Sequence, residues 1–279
     1  MNRNLYFELS DHTGIRRALA TYGYCVVRQV IGPDRVQQFK DEIDRLLDPD
    51  RSLPPASSKY HLAFAEECAA MWDLVDDAAY MNLRYALIGD HNICLHRSAA
   101  ILRTAGEPMG GWHSDHCGRV KGPKKHANDF LNVYSFESGA WFYLNGSHPE
   151  RSGIAVLEYS HTDDWSAPEG FHLDEERRYI YRNDQDEKLG SYNQLDIPGA
   201  VPVVSDPGDM ILFSALTYHV NMATNERRYT CAAGFRPKSI KLDVPWALPA
   251  SALRMIERLP TRHLPFTEGY TSIDPDWKP

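Results

Sequence analysis

The side chains in this chain best able to do chemistry together are Trp112-His113-Ser114-Asp115, then a Gly208-Asp209-Met210-Ile211-Leu212-Phe213 run leading to His219, then Arg228. A histidine and a carboxylate two residues apart, completed by a distant second histidine, make the ligand set of a facial-triad non-haem Fe(II) site. Two imidazoles and one carboxylate on one face of an octahedral ion leave three positions open, which suits a metal that must bind a co-substrate and O2. A structural zinc would normally be closed by four protein ligands, so the pattern favours a catalytic metal and makes an oxygenase the leading reading.

A lone His-x-Asp arises easily by chance in a chain with 12 histidines. Its company gives this one weight: Trp112 before it, a Gly-Asp turn and an apolar strand before His219, and an arginine nine residues after that histidine. In a strand, residues i and i+2 share a face, so His113 and Asp115 reach one ion while Ser114 and His116 point away.

These residues need elements to hold them. The period of Ile15, Leu19 and Tyr22 predicts a short helix over residues 10–22, entered at Ser10 or Asp11, with a strand at 24–27. Val36, Phe39, Ile43 and Leu46 predict a second helix after Gly32-Pro33, where proline fits the first turn. A Pro/Ser-rich loop over 48–58 leads to a more helical stretch over 63–88 that ends at Gly89-Asp90. Beyond it, short strands are expected at 99–102, 131–133, 141–144, 154–157, 201–204, 210–213 and 229–235. Short strands between turn residues argue for a β-sandwich or barrel with flanking helices. The polar stretch over 160–198 is expected to lie over one end of that barrel, and a helix is expected at 251–258. We therefore expect one domain over 1–279: an N-terminal elaboration to 90, a β core over 91–236 carrying the insertion, and a C-terminal tail over 237–279 packed on the core.

Composition narrows the partners. With 43% hydrophobic and 24% charged residues the chain reads as an ordinary globular protein. A formal net charge of -8 repels a phosphate backbone, so nucleic acid is not an expected partner. No apolar run is long enough to span a membrane and the start lacks the apolar core of a signal peptide, so the expected location is the cytoplasm. Five scattered cysteines without a Cys-x-x-Cys pair read as free thiols, Cys117 beside the metal motif included.

Taken in order, these residues resemble the phytanoyl-CoA dioxygenase (PhyH) family of Fe(II)- and 2-oxoglutarate-dependent oxygenases. The resemblance runs from Gly23-Tyr24-Cys25-Val26-Val27 and the Pro33 helix, through Trp112-His113-Ser114-Asp115, to Gly208–Phe213, His219 and Arg228. It implies a double-stranded β-helix (jelly-roll, cupin-like) core with Fe(II) held by His113, Asp115 and His219. The family also uses a basic residue after the second histidine to hold the distal carboxylate of 2-oxoglutarate, a task that suits the planar fork of arginine. Arg227 and Arg228 both qualify and must face opposite ways on a strand. Arg228 is the choice, because Thr230, Ala232 and Gly234 would then share its inner face. The family's Gly-Ser-His motif has two candidates. Gly146-Ser147-His148 is read as part of a hairpin loop, and Tyr159-Ser160-His161 as the better positional match, with tyrosine where glycine is expected.

The resemblance implies oxidation of an unactivated C–H, with 2-oxoglutarate and O2 converted to succinate and CO2. Asp115 fills the position that a halogenating relative leaves to chloride, which points to hydroxylation or desaturation. The expected substrate is a small polar metabolite or natural-product intermediate. Arg119, Lys121, Lys124 and Lys125 are read as a solvated lid surface or, alternatively, as greeting an anionic group at the mouth of the site, and Trp165, Phe171, Tyr179, Tyr181 and Tyr192 as either a closing lid or packing. Two other classes compete: a non-catalytic cupin-like binding protein, which an intact triad argues against, and a Zn(II) hydrolase, which needs no 2-oxoglutarate clamp.

Overall fold

The first elements form where the apolar period places them. In the computed structural model, which describes residues 4–115, 127–132, 138–274 and 276–278, β1 (Tyr6–Phe7) is followed by α1 (His12–Tyr22). Asp11 caps α1 by accepting the Gly14 N–H at 2.8 Å. After β2 (Tyr24–Val27), α2 (Pro33–Leu47) opens on its proline and buries Val36, Phe39 and Ile43. β3 (Ser58–His61) is an edge strand with no apolar alternation to announce it, and it begins where a loop was expected.

The stretch over 63–88 is helical but broken. It forms α3 (Phe64–Glu67), a 3-10 turn (Ala69–Met71), α4 (Asp73–Asp76) and α5 (Ala78–Ile88). Asp77 is the reason for the last break: its Oδ1 accepts the N–H groups of Ala79 and Tyr80, which starts a new helix there. β4 (Ile93–Arg103) and α6 (Ala127–Asn132) follow. The strand expected at 131–133 is thus corrected: Leu131 and Asn132 belong to a helix, and Val133 lies outside the described residues. A three-residue apolar run carries no period of its own to separate the two.

The rest is mainly β: β5 (Ser138–Tyr143), β6 (Ile154–Leu157), β7 (Phe171–Leu173), β8 (Ile180–Arg182), β9 (Ala200–Pro202), β10 (Met210–Ser214), β11 (His219–Asn221) and β12 (Arg228–Pro237). α7 (Ala250–Arg258) closes the chain on the core. Among the described residues the strands make a seven-stranded sheet ordered β1-β2-β10-β5-β12-β4-β3, a three-stranded sheet ordered β11-β6-β9, and the β7-β8 hairpin. β5 and β6 fall in different sheets, so residues 146–153 do not close a hairpin between them. They cross from one sheet to the other, pinned by bridges Ser147↔Ser205 and His148↔Ser152.

Two apolar clusters result. In the larger, helix residues such as Ile15, Phe39 and Leu83 pack with Leu102, Phe142, Leu212 and Cys231 from one face of the large sheet. The smaller gathers Trp112, Leu157, Ile180, Tyr192, Tyr218 and Val220 around the small sheet. Cys25, Cys68, Cys94 and Cys231 are buried free thiols, and Cys117 lies outside the described residues. No helix among the described residues is long and apolar enough to cross a membrane.

Candidate functional site

β10 reaches its place through a turn that only glycine fits. Gly208 has φ 93°, and a Cβ there would meet the Ile31 carbonyl oxygen at 2.4 Å. Asp209 then accepts the Gln29 and Asp206 N–H groups at 2.8 and 2.9 Å, locking the entry to β10 beside β2. The chain leaves β10, turns, and enters β11 at His219, which pairs with Val156 of β6. His113 is drawn to it by a two-way backbone bridge: the His113 N–H donates to the His219 carbonyl at 3.1 Å, and the His219 N–H donates back at 2.9 Å. His113 is therefore a bridge residue held on both sides, by His219 and Tyr179, rather than part of a regular strand, and Asp115 lies in the bend just after it.

The tautomers are set by neighbouring carbonyls. His113 Nδ1 lies 2.8 Å from the Gly111 carbonyl oxygen and His219 Nδ1 lies 3.0 Å from that of Thr217. A carbonyl can only accept, so each Nδ1 carries the proton and each Nε2 presents a lone pair. Those two Nε2 atoms face the two oxygens of Asp115, each at 3.8 Å. One ligand atom from each of the three residues falls within 4.8 Å of the others. The distances are too long for hydrogen bonds and the three atoms converge on one point, which is the donor set a divalent ion needs.

Electrostatics agree with that use. Burial, reinforced by neighbouring His219, pushes His113 down to about 4, so it stays neutral and able to ligate near neutral pH. Burial opposes ionisation of Asp115, but His219 and His113, with Arg97 and Arg178, outweigh it and hold the carboxyl below its ordinary range.

Arg228 lies on the inner face of β12, 1% exposed, with its guanidinium 5.4 Å from the centre of the Tyr143 ring. One nitrogen donates to the Gly153 carbonyl at 3.3 Å, while Nε and Nη2 are buried without a partner among the described residues, as is the Thr230 hydroxyl on the same face. Burial lowers Arg228 to about 10, the mark of a cation held without an anion. Such orphaned donors match what a carboxylate would accept from. Arg227 turns the other way and is no free surface charge: it pairs with Asp44 at 2.6 Å and Asp48 at 2.8 Å.

Three further features bear on the sequence reading. Tyr159 takes φ 64°, the left-handed conformation that a glycine would supply, and Ser160 accepts the Tyr218 N–H at 2.9 Å beside His219. Ser147 instead donates to Val203 in the sheet crossing. The 160–198 stretch is a wall more than a cover: Trp165 stacks on Tyr218 at 5.1 Å, Phe171 meets Tyr192 edge-on, and the Ile180 N–H donates to Trp112 at 3.2 Å. Tyr179 remains close to the site, its ring centre 6.4 Å from that of His113. Arg119, Lys121, Lys124 and Lys125 lie outside the described residues. Sequence reasoning missed Tyr143, whose strand was expected but whose ring contact to Arg228 spans distant segments.

A model of the family described as Phytanoyl-CoA dioxygenase (PhyH) matches residues 19–228. No curated protein matches the chain by sequence. Among solved structures, the chain is similar to the epimerase SnoN in complex with Fe3+, alpha ketoglutarate and nogalamycin RO, at 16% identity and TM-score 0.57, covering 96% of this chain and 93% of that one. It is also similar to HygX from Streptomyces hygroscopicus with nickel, 2-oxoglutarate and hygromycin B bound, at 17% identity and TM-score 0.58, covering 80% and 86%. EvdO2 from Micromonospora carbonacea var. aurantiaca, complexed with 2-oxoglutarate, aligns at 16% identity and TM-score 0.51 over 79% and 89%. At these identities the likeness establishes a shared fold.

Proposed function

The chain belongs to the phytanoyl-CoA dioxygenase (PhyH) family, and on that premise we propose that it hydroxylates, or otherwise oxidises, an unactivated C–H bond of a small polar metabolite or natural-product intermediate. It is an enzyme of the non-haem iron, 2-oxoglutarate-dependent class. The two sheets are read as the halves of a jelly-roll core, and the bound iron and 2-oxoglutarate of the similar structures support carrying those groups over to this chain. The observation that supports the reading is the convergence of His113, Asp115 and His219 together with the orphaned guanidinium of Arg228, the Tyr143 hydroxyl lying within electrostatic reach of both Arg228 and Asp115.

His113 and His219 would hold Fe(II) through Nε2 and Asp115 through a carboxylate oxygen, a three-ligand set that would leave the metal able to take co-substrate and O2. When bound, the iron supplies oxygen activation, with 2-oxoglutarate giving the two extra electrons: one oxygen atom ends in succinate, the other in the hydroxylated product, and CO2 leaves. Arg228 donates through Nε and Nη2 to the distal carboxylate of 2-oxoglutarate, Thr230 adds its hydroxyl, and Tyr143 covers the guanidinium face. Trp112 and the 171–182 hairpin pack against the His113 segment and fix its position.

The test is anaerobic addition of Fe(II) and 2-oxoglutarate to metal-free protein, watched for the weak visible charge-transfer band of a chelated iron–keto-acid complex. The band is expected to form, and to vanish on admitting O2 with succinate released. Folded, iron-loaded protein that never shows the band would move a binding or hydrolytic role ahead.

A further inference from the structure

Arg228 does not stand alone on the inner face. β12 and β4 pair antiparallel, with Arg228 directly across from Arg103 and Thr230 across from Ile101. Residues opposed in this way share a face of the sheet with their Cβ atoms about 5 Å apart, so the two arginine side chains leave neighbouring strands side by side. Both are buried, Arg103 at 4% exposure and Arg228 at 1%. Like charges placed opposite one another cost stability, and cost more away from water. Burial first, and the charge of Arg103 with it, hold Arg228 below its ordinary range.

The structural bonds of Arg103 use one nitrogen. Its Nη2 donates to a carboxylate oxygen of Glu107 at 3.0 Å and to the Pro108 carbonyl at 2.9 Å, which anchors the guanidinium to the segment leading from β4 to His113. Nε and Nη1 are buried with no hydrogen-bond partner among the described residues, as are Nε and Nη2 of Arg228 and the Thr230 hydroxyl. Among the described residues, Glu107 is the one carboxylate paired to either arginine, so the couple carries one positive charge in excess. Buried donors and an uncancelled charge on two adjoining strands are what an anion would complete.

We propose that Arg103 is a second co-substrate-binding arginine, and that the distal carboxylate of 2-oxoglutarate is held by Arg103 and Arg228 together. The inference rests on the proposed iron and 2-oxoglutarate chemistry and adds a residue to it. The donor count fits, since an ionised carboxylate offers about four lone-pair sites. The Nε–Nη2 fork of Arg228 fills two, the Thr230 hydroxyl a third, and one open nitrogen of Arg103 the fourth. The negative charge of that carboxylate also cancels the excess positive charge of the couple. Glu107 is then a positioning residue, which holds Arg103 by Nη2 without occupying the donors that meet the ligand.

The experiment compares 2-oxoglutarate with 2-oxobutyrate, which has the same keto-acid end and no distal carboxylate. Dissociation constants come from the charge-transfer band of the anaerobic Fe(II) protein and, separately, from calorimetry on metal-free protein. With Arg103 still in place, Arg228→Met should bind 2-oxoglutarate about tenfold tighter than 2-oxobutyrate, as one remaining charge-assisted hydrogen bond implies. Arg103→Gln should weaken 2-oxoglutarate by about tenfold and leave 2-oxobutyrate unchanged. Arg103→Lys should recover part of that loss, and the double variant should bind the two acids alike. A merely structural Arg103 would weaken both acids together or neither. No preference left in Arg228→Met, equal weakening of both acids in Arg103→Gln, or an Arg103→Gln protein that binds 2-oxoglutarate like the wild type would overturn the inference. The Arg228→Met result decides it even where the Arg103 variants fail to fold. A wild type without the band overturns the iron reading, while the metal-free ratio still tests the two arginines; a missing band with neither acid bound overturns both.

Discussion

Two adjacent arginines lead into β12, and the two sides of the sheet treat them in opposite ways. Arg227 turns towards the helical side, where it bonds Asp44 at 2.6 Å, Asp48 at 2.8 Å and the Tyr229 hydroxyl at 2.7 Å. Tyr229, Cys231, Ala233 and Phe235 continue that side into the main apolar core. Arg228 turns inward with Thr230, Ala232 and Gly234, and keeps two guanidinium nitrogens without partners at 1% exposure. The helical side supplies its arginine with carboxylates, whereas the inner face leaves Arg228 buried with no carboxylate paired to it among the described residues. That difference in charge pairing, set at two adjacent residues, is what a site for an anionic co-substrate requires.

The comparison breaks most visibly at the triad. Asp115→Ala or His219→Ala should reduce 2-oxoglutarate-dependent O2 uptake to the no-enzyme level with an unchanged circular dichroism spectrum; turnover surviving in either would remove the inner face from the chemistry. Next, Arg228→Met should raise the KM for 2-oxoglutarate by about 100-fold, the cost of one or two charge-assisted hydrogen bonds. Its Tm should hold or rise, because the substitution replaces a buried, unpaired cation with an apolar chain of similar length. Arg227→Met is expected to do the reverse. It should cost about 1–3 kcal/mol of stability by stranding Asp48 and part of Asp44, and leave the KM for 2-oxoglutarate within about twofold. Equal KM effects from the two arginines would erase the distinction.

Much of this arrangement was legible, for reasons that differ by element. The 3.6-residue period exposed the buried face of α2, and Gly208 announced a turn whose φ of 93° and contact at 2.4 Å admit no other residue. The pairing of His113 with Asp115 followed from strand geometry, although His113 holds its place through bridges to residues 179 and 219 that no local pattern encodes. Alternation along β12 put Arg227 and Arg228 on opposite faces, and the preference for Arg228 as the proposed clamp came from Thr230, Ala232 and Gly234 on its face together with the family resemblance. What stayed hidden depends on long-range register. The extra residue on β4 interrupts the alternation at His96, and the carboxylates that occupy Arg227 come from α2 and the residue after it. The helix at Leu131 was misread because a short apolar run carries no period of its own, and the 146–153 loop, which does fold back with His148 paired to Ser152, could not say which sheet the chain joins next.

The smallest expected effect is the sharpest test of the two sides, because it depends on the sign of one titration. Burial opposes ionisation of Asp48, but Arg227 and the N–H groups of Ser52 and Leu53 outweigh it and lower its pKa in the folded state. A carboxyl whose folded pKa lies below its unfolded value of about 4 contributes stability that is fully present above that pH and lost as pH falls through the folded pKa. The stability gap between the wild type and Arg227→Met, measured by urea denaturation, should therefore stay constant from about pH 7 to 5 and narrow below about pH 4. Arg228→Met should show no narrowing relative to the wild type over the same window, since no carboxylate pairs with that guanidinium among the described residues. A gap for Arg227 that persists unchanged to about pH 3 would mean that its packing, not its ion pairs, supports the core side. The contrast between a satisfied and an open face of β12 would then rest on Arg228 alone.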